Sequence, residues 1–93
     1  MAGNIVRRHM VFSGIVQGVG FRWRARRAAE LYGATGWVRN DPCGTVTMEL
    51  QAAPEQIDAV LEAIARGSYI RIEGLDARDV PVERDERGFF FAD

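Results

Sequence analysis

The chain has 93 residues, 47% hydrophobic and 27% charged, a size that buries roughly 60–65% of the unfolded surface and needs no covalent staple. One domain over residues 1–93 is expected, and a second is excluded. The formal charge of -1 excludes the whole-chain basic footprint of a nucleic-acid binder, so any anion site must be local.

The lone cysteine, Cys43, rules out an internal disulfide, and no secretory segment or long apolar run is present. A cytoplasmic address with no membrane partner is the expectation. All 12 basic residues are arginine, which removes mechanisms built on a Schiff-base or phosphate-binding lysine.

From Arg8 to Phe12 the residues alternate, Met10 and Phe12 on one side and His9 and Val11 on the other, as a strand over a one-sided core requires. Gly14 to Gly20 is glycine-rich and runs into Phe21, Ala25, Ala28, Ala29 and Tyr32, spaced for one helical face that stops near Gly33. Thr35 to Asn40 has strand character and Asp41-Pro42-Cys43-Gly44 is a turn cluster. Val46, Met48 and Leu50 then alternate with Thr47, Glu49 and Gln51, which predicts a hairpin with one buried face.

Pro54 suits the first turn of a second helix, whose Ile57, Val60, Leu61 and Ile64 form one stripe before Gly67. Tyr69 to Val82 supplies a strand through Ile70 and Ile72, and Gly88 to Phe91 a short closing one. The order β-α-β-β-α-β plus a short extra C-terminal strand predicts the α+β, ferredoxin-like sandwich: an antiparallel sheet with two helices on one face.

The loop Gly14-Ile15-Val16-Gln17-Gly18-Val19-Gly20 delivers the chain straight into a helix. Glycines let successive backbone N–H groups turn toward one point, the helix start adds unpaired N–H groups, and Arg22 carries a fork of donors matched to phosphate oxygens. On spacing alone, a tight turn followed by a solvated arginine explains the segment as well as an anion site does. It is neither a Walker loop nor a dinucleotide fingerprint, since Gly-Lys-Ser/Thr and the last glycine are missing.

Gly14 to Arg22 closely resembles the first signature of the acylphosphatases. Gly36-Trp37-Val38-Arg39-Asn40, followed by Gly44-Thr45-Val46, resembles that family's hairpin motif. The resemblance covers nearly the whole chain and implies hydrolysis of acyl phosphates to carboxylate and inorganic phosphate. It implies that Arg22 binds the phosphoryl group together with the loop N–H groups of Gln17, Gly18, Val19, Gly20 and Phe21, and that Asn40 orients the attacking water. With no convincing His/Cys/Asp/Glu cluster in the sequence, no metal or cofactor is expected; inorganic phosphate or sulfate, tetrahedral anions able to occupy the same N–H cradle, should compete, and a monomer is expected.

The chain departs from the pattern at Phe12, Ala52, Asp41 and Cys43. Asp41 matters most, because a carboxylate aimed into the site would repel substrate. The physical reading agrees with the resemblance: phosphoryl transfer is mostly positioning and fixed donors, and an amide can hold water without titrating.

Among the remaining residues, His9 reads as a surface or half-buried strand residue and Cys43 as a structural or incidental cysteine. Arg24, Arg26 and Arg27 read as a solvated face with Glu30 as a partner. Trp37 reads as packing, Trp23 is open, and Phe89 to Phe91 combine core anchoring with edge coverage. Asp76, Asp79, Glu83, Asp85 and Glu86 read as solvated charges. The rival reading is a catalytically silent, phosphate-sensing or protein-binding module. A third, the acylphosphatase-like domain of a larger carbamoyl-phosphate-handling enzyme, is disfavoured by the absence of any zinc-finger-like segment.

Overall fold

The computed structural model describes residues 4–93. Strand β1 (Val6–Ile15) leads through a short loop into helix α1 (Phe21–Leu31), followed by the hairpin β2 (Thr35–Asn40) and β3 (Val46–Ala52). Helix α2 (Pro54–Ala65), strand β4 (Arg71–Val80) and strand β5 (Phe89–Phe91) complete the chain. The sheet order is β4-β1-β3-β2-β5.

Period-two alternation produces the single core. Met10 and Phe12 of β1, Val38 of β2, and Val46, Met48 and Leu50 of β3 are fully buried on the face that carries both helices. Phe21, Ala25, Ala28 and Ala29 of α1 and Ile57, Val60 and Ile64 of α2 close over them. The small alanines of α1 let that helix approach the sheet, and Phe12 meets Phe21 edge-on with ring centroids 4.9 Å apart. Helix α2 starts as its sequence predicts, with Pro54 in the first turn and the Gln56 side chain accepting from the Ala53 N–H at 2.9 Å. Tyr32 caps the C-terminus of α1 just before Gly33.

The ferredoxin-like architecture is the one expected, with two adjustments. β1 extends through Ile15, taking Gly14 and Ile15 out of the loop. β5 pairs parallel to β2, Gly36 with Phe89 and Val38 with Phe91, so the sheet is mixed rather than wholly antiparallel. The cause is geometric: β4 lies at one edge of the sheet, and the chain must cross to the far edge before β5 can pair.

That crossing covers the end of the open sheet face away from Asn40, and ion pairs hold it there. Arg7 is only 3% exposed; its Nε donates to Glu49 Oε1 at 2.7 Å and its Nη1 to Glu86 Oε1 at 2.7 Å. Gln51 donates to the Glu83 carbonyl and accepts from the Glu83 N–H, each at 2.8 Å. Glu86 is therefore a structural partner of a buried guanidinium, which corrects its reading as a solvated charge. Phe89 is buried and Phe90 exposed, so the closing strand does anchor the core and cover an edge.

Candidate active site

The loop after β1, the first turn of α1 and the end of β2 meet at one end of the sandwich. They form a cleft of about 90 Å³ lined by Val16, Gly18, Gly20, Phe21, Arg22, Trp23 and Asn40. Gly18 at φ 72° and Gly20 at φ 84° hold left-handed conformations that side-chain-bearing residues rarely adopt. Gly20 is the N-cap of α1, no side chain caps the helix, and its first turn contains no acid. The N–H groups of that turn and the positive end of the helix thus remain available for an anion.

Asn40 reaches the cleft because it ends β2 two residues after Val38, on the face toward the helices. Its Oδ1 is buried and has no hydrogen-bond partner among the described residues. A buried acceptor without a donor is costly, and a water held in the cleft would satisfy it.

Arg22 is partly exposed yet held by an ion pair. Its Nη1 donates to both carboxylate oxygens of Asp93, at 2.8 and 2.7 Å, and the Asn40 N–H donates to Asp93 Oδ2 at 3.2 Å. Desolvation is the largest single influence on Asp93 and opposes its charge, but Arg22 and the Asn40 N–H together outweigh it and hold the carboxyl below its ordinary range. The site therefore already engages a carboxylate supplied by the chain. Sequence inspection misses Asp93 because it reaches Asn40 only through the parallel pairing of β5, which the Ala92 N–H extends by donating to the Val38 carbonyl at 2.8 Å.

The Gln17 side chain turns toward the hairpin, donating from Nε2 to the carbonyls of Asp41 at 2.7 Å and Thr45 at 2.9 Å. It ties the glycine loop to the turn that carries Asn40. Asp41 does not face the anion site. Its Oδ2 accepts from Thr45 and Thr47 hydroxyls, each at 2.7 Å, and its Oδ1 from Arg39 Nε at 3.0 Å. Burial would raise this carboxyl, yet the two hydroxyls and the guanidinium hold it below its ordinary value. The repulsion feared from sequence is thereby removed.

Elsewhere, His9 Nδ1 lies 2.6 Å from Glu49 Oε2, and Arg26 pairs with Glu30 at 3.4 Å. Cys43 is exposed, its Sγ 3.3 Å from Thr45 Oγ1. A larger hollow of about 560 Å³ borders Arg7, Trp37 and Glu83 to Glu86, but its buried guanidinium is already occupied by carboxylates. Among the described residues no group of three or more His, Cys, Asp or Glu is placed to hold a metal ion. No helix among them is long and apolar enough to cross a membrane.

A ferredoxin-like sandwich with an anion cradle at a helix start, an arginine beside it and a buried amide facing it defines a small phosphoryl-handling protein. The acylphosphatase family model matches residues 8–90. An acylphosphatase of Bifidobacterium longum is 37% identical over 82 residues, 87% of this chain and 84% of that protein. The chain belongs to the acylphosphatase family. The solved acylphosphatase of Coxiella burnetii superposes with a TM-score of 0.84 at 30% identity, covering 95% of this chain and 93% of that one. The HypF protein of T. kodakarensis is also similar, with a TM-score of 0.81 at 26% identity over 95% of this chain but 12% of the HypF chain.

Proposed function

We propose that this chain is an acylphosphatase working by direct attack of water. The phosphoryl oxygens rest on the N–H groups of Gln17 to Phe21 and on Arg22. Water held by Asn40 attacks phosphorus; the bond from phosphorus to the acyl oxygen breaks and its electron pair leaves with the carboxylate. The water oxygen becomes the fourth oxygen of inorganic phosphate and keeps one proton, while the second passes to phosphate or solvent. A carboxylate is a good enough leaving group that no strong general base is required.

The observation that carries this reading is the buried, unpartnered Asn40 Oδ1 in the same cleft as Arg22 and the uncapped helix start. An acceptor placed there holds water by one proton and leaves the oxygen lone pair free to attack. We assign activity without metal or cofactor on the same chemistry, since fixed dipoles and one guanidinium supply the charge, and a cytoplasmic address on the lone cysteine, Cys43, which suits a reducing compartment. The test is hydrolysis of benzoyl phosphate with inorganic phosphate and sulfate as inhibitors. Turnover with competitive inhibition by both anions is expected. No turnover by folded, phosphate-binding protein would leave a silent binding module, and noncompetitive inhibition would separate the anion site from the reaction.

A further inference from the structure

Trp23 follows Arg22 in the first turn of α1, lines the same cleft, and is 69% exposed. Asn40 lines the same cleft, and its Oδ1, unlike the exposed indole, is buried. An exposed indole leaves a large apolar face in water, and in a helix its side chain leans back toward the helix start, over the cleft mouth.

The indole is also braced. Phe91 of β5 meets it edge-on, ring centroids 5.6 Å apart and planes at 90°, and the Arg22 and Arg26 guanidiniums stand 5.4 and 5.6 Å from the Phe91 ring. Phe91 is thus engaged by both guanidiniums and by the indole, and Trp23, braced on that side, keeps most of its surface open to solvent.

In-line displacement places the attacking water and the leaving group on opposite sides of phosphorus. With the water buried at Asn40, the acyl group must point outward to the mouth, where Trp23 stands. We infer that the Trp23 indole is the platform for the acyl portion of the substrate and that the site favours acyl phosphates with aromatic or extended apolar acyl groups over acetyl phosphate. The inference rests on the function proposed above. The indole supplies no charge and touches no reacting atom, so it sets substrate preference and is not a catalytic residue.

The experiment measures kcat/KM for benzoyl phosphate and acetyl phosphate in the wild type, Trp23→Ala and Trp23→Phe. Wild-type protein should prefer benzoyl phosphate. Trp23→Ala should lower the benzoyl-to-acetyl ratio about 3–10-fold, the scale of one aromatic contact, and Trp23→Phe should restore most of it. Inhibition by inorganic phosphate, which carries no acyl group, should keep the same constant in all three, showing that the cradle is intact. An unchanged ratio in Trp23→Ala, or a change matched by weakened phosphate inhibition, overturns the platform while leaving the hydrolase standing. A wild type that hydrolyses neither compound overturns both.

Discussion

At the scale of single residues, Asn40 and Arg22 divide the work on the proposed mechanism. Asn40→Ala should lower kcat by roughly 100-fold, as loss of one positioned polar group does, while the inhibition constant of phosphate stays near wild type. Arg22→Lys should weaken phosphate inhibition and kcat/KM together, because an ammonium cannot reproduce the planar fork. Steady-state kinetics with phosphate titration separates the two patterns. Asp93 gives a different expectation. Its carboxylate contacts both Arg22 and the Asn40 N–H, so an entering phosphate competes with an anion already in place. Asp93→Asn should therefore tighten inhibition by phosphate, and weakened inhibition would show instead that Asp93 holds Arg22 ready for substrate.

At the scale of elements, alternation and helical stripes made the core legible: Met10, Phe12, Met48, Leu50, Ile57 and Ile64 are all buried. The glycines and Arg22 of the loop, and Asn40 at a strand end, are also brought together as their motifs imply. Contacts made by the β4–β5 crossing escaped, because a run rich in Asp, Glu and Arg has no periodicity to show which carboxylate meets Arg7. Trp23 stayed open for a related reason, since local spacing does not reveal that Phe91 stands beside it.

The ion-pair cluster around Arg7 beneath that crossing is also where acid should act, through Glu49 of β3. Burial pushes the Glu49 carboxyl up, but hydrogen bonds from His9 and Arg7 outweigh it and hold its pKa below the ordinary value. A depressed carboxyl contributes stability that is present above its unfolded-state pKa and is lost as pH falls through the folded-state pKa. Urea midpoints should accordingly fall on acidification below the ordinary carboxylate range, and the fall should be shallower in Glu49→Gln. Arg7→Ala should cost about 2–4 kcal/mol at neutral pH, since it leaves Glu49 and Glu86 without their cation; a change under 1 kcal/mol in urea unfolding would mean that water replaces it easily.

At the scale of the whole molecule, the strand order β4-β1-β3-β2-β5 contains one local hairpin, β2 with β3; its other pairings join distant stretches of chain. Such contacts require large loops to close before they are rewarded, so folding should take on the order of milliseconds to seconds rather than microseconds. The pairing of Gly36 with Phe89 is non-local, though less distant than that of β1 with β4, and rests on only a short strand, so it is expected to form on the native side of the folding barrier. The bracing of Trp23 by Phe91 and the approach of Asp93 to Arg22 and Asn40 depend on that strand. Phosphate competes with Asp93 and so acts through the cradle of the loop and the α1 start, not through β5; binding only the assembled cradle, it should slow unfolding and leave the refolding rate unchanged in stopped-flow fluorescence. The bound anion would then act as a kinetic lock on the finished protein, with no influence on how quickly the chain finds its fold.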